Sequence, residues 1–362
     1  MTAGRRRSLL VAGVLGPVLA CRIAVAQTSA PPTEAIHPYT TPEEKRAVAD
    51  FVLGAGLTVG GLVEVEAAAG REQGEDVSDL SLATLELGVT AEVSDWVRGD
   101  VVLLWEEEET EPVDLDVATV TLGGTAQYPF RLEAGKLYVP FGTFNSHFVS
   151  DPLVLELGET RASAAVAGYD GGMVQLRLGA FNGDLDADGD DDQVDDWVAA
   201  LTLAPAAWIS AGAYWMSDLG ESDGLQEGLE AAVEGTDEIA GLPYDDAGGA
   251  GGFVSLQFEP FALEAEYLTA LDEFEAGLLD PATAKPMAWN TELAWATTDA
   301  LEFAVRYEGS DEFPGLPETQ YGACATFALT DGTTLALEYL HGEYEGGTDD
   351  RDVATAQLAV EF

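Results

Sequence analysis

The feature that most constrains this chain is a recurring alternation of apolar and polar residues with a period of two. In residues 261–267 the large apolar side chains fall on one face, and Glu264 and Glu266 fall on the other. Residues 301–308, 334–339 and 357–362 repeat the pattern. Because successive residues of a strand point to opposite sides, each segment predicts a β-strand with one apolar face and one polar or small face.

The connections between these segments alternate in length. Short turns are predicted near residues 94–96, 128–129, 170–171, 204–205, 259–260, 298–299 and 330–331. Longer acidic or glycine-rich loops are predicted near residues 70–78, 109–113, 142–160, 182–192, 218–248, 272–285, 309–317 and 343–350. Counting strands between these breaks gives about 16, and short turns on one rim with long loops on the other are typical of outer-membrane barrels.

We therefore predict an all-β fold, a transmembrane antiparallel β-barrel of about 16 strands with short periplasmic turns and long extracellular loops. A soluble β-sandwich or barrel would also alternate. It would not need large apolar residues on the same side of nearly every hairpin, nor short and long connections in strict turn.

Residues 1–26 have the three-part layout of a secretory signal peptide. Residues 5–7 are three arginines, an apolar stretch follows over residues 8–20, and residues 24–26 form a small-x-small cleavage pattern. The apolar stretch is too short to span a bilayer. The sequence therefore predicts export from the cytoplasm.

The rest of the chain divides into two parts. Residues 27–50 predict a periplasmic linker and a short helix that begins at Thr41 and Pro42. Residues 51–362 carry the period-two pattern and are predicted to form the transmembrane barrel. No later apolar run reaches the ~20 residues that a membrane-spanning helix needs.

The charge balance narrows the function. The chain has 66 acidic and 15 basic residues, for a formal net charge of −51, while 47% of its residues are hydrophobic. That charge repels nucleic acid, and the apolar content is too high for a disordered acidic chain. Carboxylates that line a water-filled channel favour cations. Three histidines, two cysteines and no glycine-rich phosphate motif argue against an enzyme.

Two stretches resemble a known family. Residues 135–144 (GKLYVPFGTF) and 149–161 (VSDPLVLELGETR) closely resemble the signature of the LbtU family of outer-membrane siderophore porins. Residues 181–184, the Asp-rich run that follows and residues 195–197 resemble the next loop of that family. The resemblance implies a sixteen-strand barrel that admits ferric siderophores without an energy-coupling plug. The family often carries an N-terminal helical segment that is longer than the 27–50 region of this chain.

The loop at residues 142–160 has two interpretations. In the first it folds into the lumen and narrows it, and its charged residues set the charge of the constriction. In the second it is an extracellular loop that packs on its own rim through Phe144, Phe148 and Leu153. Mid-strand charges elsewhere are expected to face inward, because a charge on the lipid face is costly. The candidate pore and constriction residues are Asp151, Glu156, Glu159, Arg161, Glu86, Glu264, Glu266 and Arg306.

An Asp-rich segment is a candidate Ca²⁺ site in an extracellular loop. Its spacing matches the D-x-D-x-D-G-x5-E calcium pattern, except that an aspartate replaces the final bidentate glutamate and no flanking helices are expected. The alternative is an acidic surface loop that is bridged to lipopolysaccharide by loosely held divalent ions. The candidate ligands are Asp184, Asp186, Asp188, Asp190 and Asp195.

Together these features predict a passive channel in the bacterial outer membrane, by resemblance a siderophore porin that serves iron transport. A general cation-selective diffusion porin is the alternative, and a closed structural or surface barrel is the second alternative. The expected partners are outer-membrane lipid, lipopolysaccharide, and ferric siderophore or small cations as solutes. No required cofactor and no nucleic-acid partner are expected. The sequence leaves the oligomeric state open, with a homotrimer as one candidate.

Overall fold

The computed structural model describes residues 51–362 apart from residues 53–55, 73, 108–111, 126–127, 184–193, 233–245, 277, 280–281 and 345–349. The predicted signal peptide (1–26) and the predicted linker and helix (27–50) lie outside the described residues.

Most of the described chain is β-strand. A two-residue strand, β1 (Phe51–Val52), precedes sixteen longer ones. The first eight of these are β2 (Leu57–Glu72), β3 (Glu75–Ser94), β4 (Val97–Glu106), β5 (Asp114–Thr125), β6 (Tyr128–Tyr138), β7 (Arg161–Asp170), β8 (Val174–Asn182) and β9 (Val194–Ala206). The other eight are β10 (Ile209–Met216), β11 (Gly249–Phe258), β12 (Phe261–Ala270), β13 (Met287–Thr298), β14 (Leu301–Asp311), β15 (Thr319–Thr330), β16 (Thr333–Glu343) and β17 (Arg351–Glu361). Two helices interrupt the series, α1 (Leu153–Gly158) and α2 (Asp223–Ala232).

Strands β2 to β17 form one closed antiparallel barrel, which confirms the predicted fold class. Each strand pairs with the next along the chain, and β17 returns to pair with β2, from Asp352 opposite Arg71 to Glu361 opposite Leu62. Phe362 continues this ladder by exchanging two backbone hydrogen bonds with Gly61. Strand β1 extends the same edge, with Val52 opposite Thr58. Closure gives each strand of the barrel a pairing partner on both sides.

The connections have the predicted asymmetry, with one correction. Short turns join β3 to β4, β5 to β6 and so on to β15 and β16, while the loops at the other rim include the two helices. The long loop predicted at residues 70–78 is wrong. There β2 and β3 continue as a hairpin from Gly70 opposite Val77 to Glu72 opposite Glu75. Gly74 has a φ of 82°, the left-handed conformation that a tight turn of this kind favours in glycine.

The outer surface of the barrel is apolar and bordered by aromatic rings. Apolar side chains stand exposed at alternate strand positions, among them Leu85, Leu87, Val101, Leu103, Leu122, Leu132, Leu176, Leu178, Leu201, Leu293, Val305 and Leu337. Aromatic side chains cluster near the short turns, including Trp96, Tyr128, Phe130, Trp208, Phe258, Phe261, Trp295 and Phe303. A second group lies toward the other ends of the strands, including Trp197, Trp215, Tyr267, Tyr307, Tyr321 and Tyr339. An apolar band between two aromatic girdles is the surface of a barrel embedded in lipid.

The helices of the described chain lie in connections between strands. None of them is long and apolar enough to cross a membrane. Helix α1 buries Leu153, Val154, Leu155 and Leu157, although it is only six residues long. It belongs to the connection between β6 and β7, which leads into the interior.

Candidate functional site: the interior of the barrel

The connection of residues 139–160, named here the inner loop, joins β6 to β7. Strand β6 ends at Tyr138, and Pro140 then lacks the N–H that a further ladder bond would need. Gly142 adopts a φ of +103°, and a Cβ there would lie 2.1 Å from the Phe144 ring. Only glycine fits a position with both that backbone conformation and that close approach. The chain therefore turns sharply after β6 instead of extending it.

The inner face of the opposite wall carries a row of small residues. Ala262, Ala294, Ala304 and Cys324 are paired in direct succession across β12, β13, β14 and β15. All four are buried, and they pack in one cluster with Phe148 of the inner loop. Small side chains in this row leave room for the Phe148 ring, which is fully buried. The inner loop therefore crosses the lumen and lies against the far wall.

Carboxyl groups of that wall accept the backbone N–H groups of the first part of the inner loop. The N–H groups of Thr143 and Phe144 each donate to Glu266 over 2.8 Å, and the Thr143 hydroxyl donates over 3.0 Å. The N–H of His147 donates to Glu292 over 2.6 Å, and its ring Nδ1 lies 2.9 Å from Oε1 of Glu302. A loop without regular structure needs such partners once it is removed from water.

The second part of the inner loop is held in the same way. The N–H groups of Val149 and Ser150 donate to Glu338 over 2.7 and 3.1 Å, and the Ser150 hydroxyl donates over 2.5 Å. The N–H of Leu153 donates to Glu308 over 2.8 Å. Hydrogen bonds to charged acceptors are stronger than neutral ones. These carboxyl groups thus act as anchors for the loop.

Arg306 on β14 is the central contact between loop and wall. Its Nε donates to Glu292 over 2.8 Å, and its Nη1 lies 3.4 Å from Glu308. Its guanidinium also donates to the carbonyl oxygens of Asp151 (3.1 Å) and Ser150 (2.8 Å), and to the hydroxyl of Ser146. The same group lies 4.3 Å from the centroid of the Phe148 ring, within the range of a cation–π contact. A planar guanidinium has enough donors for all of these partners, whereas an ammonium group has only three.

A second part of the interior is filled by an apolar core. Leu153, Val154 and Leu157 of α1 and Leu225 of α2 pack against inner positions of β7 to β13. The two helices approach closely, because a Cβ on Gly224 would lie 2.2 Å from the carbonyl oxygen of Glu156. The inner wall positions in this core include Ala164, Val166, Phe181, Val198, Tyr214, Met216, Phe253, Leu268 and Ala288. The lumen is therefore not an evenly lined tube.

Three of the candidate pore residues belong to this anchored wall. Glu264 accepts from Ser255 (2.8 Å), Gln257 (3.0 Å) and Asn145 of the inner loop (3.3 Å). Glu266 also accepts from the buried Tyr214 hydroxyl. Together with Arg306, these residues contact the loop and are buried beneath it.

The other candidate pore residues are distributed around the barrel. Asp151 is a buried loop residue whose carbonyl oxygen binds Arg306, Glu156 is in the first turn of α1, and Glu159 follows that helix. Arg161 begins β7, and its Nη1 lies 2.9 Å from Asp114 and 3.2 Å from Asp116. Glu86 is partly exposed on the inner face of β3, between the outward-facing Leu85 and Leu87.

The candidate Ca²⁺ ligands are not brought into a described site. Asp184, Asp186, Asp188 and Asp190 lie outside the described residues, and Asp195 is exposed on β9. In the part of the chain that the structure describes, no group of three or more His, Cys, Asp or Glu side chains is arranged to hold a metal ion.

Sequence reasoning missed several residues of the interior. Glu292 was not singled out, although it alternates with Leu293 in the same way that Glu264 alternates with Leu263. Glu308 and Glu338 also lie on polar faces of period-two segments but were not singled out as loop contacts. The alternation gives their side of the sheet, but not the loop that covers them.

Sequence comparison finds relatives at low identity. No family model matches the chain. It is 25% identical over 281 residues to a UPF0422 protein of Coxiella burnetii, covering 73% of this chain and 59% of that protein. It is 21% identical over 294 residues to a UPF0422 protein of Legionella pneumophila, covering 73% and 54%. The chain thus spans little more than half the length of these relatives.

Solved structures show the same fold at low sequence identity. The outer-membrane channel DcaP of Acinetobacter baumannii superimposes with a TM-score of 0.62 at 14% identity, covering 87% of this chain and 100% of that one. OmpF of Salmonella typhi, solved with daunomycin, gives 0.59 at 11% identity and covers 87% and 100%. OprB of Pseudomonas putida gives 0.58 at 13% identity and covers 85% and 94%. With its apolar outer band, the chain is a bacterial outer-membrane β-barrel that has the fold of the porin channels.

Proposed function

We propose that this protein is a passive, water-filled channel of the outer membrane and not an enzyme. The observation that carries the proposal is a closed sixteen-strand barrel with an apolar exterior and charged side chains inside. A barrel of this size is wide enough to leave an aqueous passage. The inner loop narrows that passage without sealing all of the inner wall.

Its proposed solutes are ferric siderophores. This specificity rests on the resemblance of residues 135–161 to the LbtU family, and the inner loop that they encode crosses the lumen, where it meets any solute. An uncoupled channel of this kind needs no cofactor. We further propose a homotrimeric assembly and association with lipopolysaccharide. The proposed Ca²⁺ ligands are Asp184, Asp186, Asp188, Asp190 and Asp195.

A general cation-selective diffusion porin is the second candidate. The excess of 66 acidic over 15 basic residues favours it, because a negative interior attracts cations. A closed surface barrel is the third candidate. The apolar core that α1 and α2 form inside the barrel favours it.

Liposome swelling separates the three candidates. Purified protein in liposomes is diluted into iso-osmotic solutions of a neutral sugar, a cationic solute or a ferric siderophore. The proposal predicts swelling in the sugar, and with ferric siderophore an entry rate that saturates and that competes with sugar entry. Entry of small solutes without any siderophore effect would favour the general porin. If the protein is folded, as shown by a gel mobility that shifts on heating, and the liposomes still do not swell, the channel proposal is wrong. The closed surface barrel is then the remaining candidate.

A further inference from the structure

The inner wall of the barrel divides into a covered part and an accessible part. On β9 to β16, the described charged side chains of the inner face are all buried, from Asp196 on β9 to Glu338 on β16. Those of β12, β13, β14 and β16 form hydrogen bonds with the inner loop. On β4 and β6, Arg98, Arg131 and Glu133 keep 37%, 23% and 20% of their side-chain surface exposed. Glu86 and Thr90 on β3 are also partly exposed, and Glu92 on the same face is exposed opposite Arg98.

These accessible residues lie next to one another. Thr121 on β5 pairs with Arg98 on one side and with Glu133 on the other. Arg131 lies on the same face as Glu133, with 3.5 Å between its Nη2 and Oε2 of Glu133. Because neighbours in register share a face of the sheet, the residues form one strip on the inner wall of β4 to β6.

The acidic residues of the opposite wall are unavailable to a solute. Glu292 and Arg306 have no exposed side-chain surface, and Glu308 has none either. The carboxyl oxygens of Glu266 and Glu338 accept loop N–H groups at hydrogen-bond distance. A solute that reached them would first have to displace the inner loop.

We propose that solutes pass along one side of the barrel, between the inner loop and the inner faces of β3 to β6, and that they meet the charged side chains of Glu86, Glu92, Arg98, Arg131 and Glu133. This inference rests on the proposed channel function and names its route and its selecting residues. The strip carries both signs of charge, since Arg98 also lies 3.0 Å from Asp100. The local charge along the strip therefore differs from the formal net charge of −51 of the whole chain. Anionic groups of a solute can pair with the arginines on this route.

The chain offers a matched pair of positions for testing the route. Thr121 is partly exposed at the centre of the strip, and Ala304 is 3% exposed under Phe148. Both lie on inner faces. Single cysteines are placed at each position in a chain whose Cys21 and Cys324 are replaced by alanine, and a cationic, membrane-impermeant methanethiosulfonate is added to each variant in a bilayer.

Thiol modification is measured by mass spectrometry and by the fall in channel current. The route predicts that the thiol of Thr121→Cys reacts at least ~10-fold faster than that of Ala304→Cys and that its modification lowers the current. A thiol at position 304 that reacts as fast as one at 121 would overturn the route. If no variant and no parent chain conducts, the channel proposal fails, while the ratio of the two labelling rates still reports which wall water reaches.

Charge substitution gives an independent test. Arg131→Gln should raise the cation-to-anion permeability ratio measured from the reversal potential in a salt gradient, and Glu133→Gln should lower it. The matched control for Glu133→Gln is Asp196→Asn, because Asp196 on the inner face of β9 is 7% exposed and accepts a hydrogen bond from the Ser217 hydroxyl over 2.7 Å. A shift from Asp196→Asn equal to that from Glu133→Gln, or none from Arg131→Gln, would place the selecting charges elsewhere.

Discussion

Replacing Arg306 with methionine should release the inner loop while leaving the barrel folded. Three of its hydrogen bonds reach the loop directly, at Ser146, Ser150 and Asp151. Bonds of this kind, with one charged partner, contribute about 1.5–3 kcal/mol each and are not additive. Their loss should lower the free energy of loop opening by about 3 kcal/mol, which corresponds to a roughly 100-fold larger open population.

The chain contains its own probe for this opening. Cys324 carries a buried thiol, 3% exposed, in the row of small residues that Phe148 covers. In a chain with Cys21→Ala, alkylation of Cys324 by a small maleimide reports the open population when opening and closing are fast. We predict slow alkylation in the parent chain and on the order of 100-fold faster alkylation in Arg306→Met.

The control is Arg98→Met, which removes an arginine of the accessible strip that is paired with Asp100. It should leave the alkylation of Cys324 unchanged. An Arg306→Met rate within about twofold of the parent, in protein whose gel mobility still shifts on heating, would refute the reasoning. It would mean that the loop is held without this arginine.

Three further changes test other parts of the account. Glu266→Gln replaces an acceptor oxygen by an NH₂ group where Thr143 and Phe144 donate, so hydrogen exchange of those two amides should speed up by an amount equivalent to about 1–3 kcal/mol. Gly224→Ala places a methyl group 2.2 Å from a backbone oxygen of α1, and this should cost about 1–3 kcal/mol and raise hydrogen exchange in α1 while the barrel stays heat-modifiable. Leu132→Arg introduces a charge on the outer face and should destabilise the folded barrel by about 2–4 kcal/mol in urea titrations in lipid. The matched Thr121→Arg on the inner face should destabilise it by less than about 1 kcal/mol. Equal destabilisation by the two variants would contradict the assignment of faces.

The fold was predictable because its signal is local. Each strand shows its two faces within about ten residues, and closure of a sheet in lipid follows from the need to pair every backbone group. The error at residues 70–78 has a local cause as well. Glycine and acidic residues there predict a loop, yet Arg71 and Asp76 form an ion pair across the hairpin (3.2 Å) and the ladder continues to its tip.

The path of the inner loop was not predictable, because its contacts are distant in sequence. The N–H of Val149 donates to Glu338, which is 189 residues away, and the N–H of His147 donates to Glu292, which is 145 residues away. Period two predicted that Glu264, Glu266 and Arg306 face inward, which they do. It gave no information on whether water or the inner loop would cover them.

The apolar core inside the barrel was missed for a related reason. Strand β9 carries apolar residues on both faces, with Val198 buried inside and Leu201 exposed outside. A pattern that is apolar on both faces does not identify which face meets lipid and which meets α1.

The measurement that tests the central claim most directly is the single-channel current of the purified, folded protein in a planar bilayer under a salt gradient. The account predicts discrete and stable current steps, with a reversal potential that Arg131→Gln moves toward cation selectivity and Asp196→Asn leaves in place. Folded barrel that inserts into the bilayer but carries no current would contradict it, because the lumen would then be closed and the protein would not be a channel.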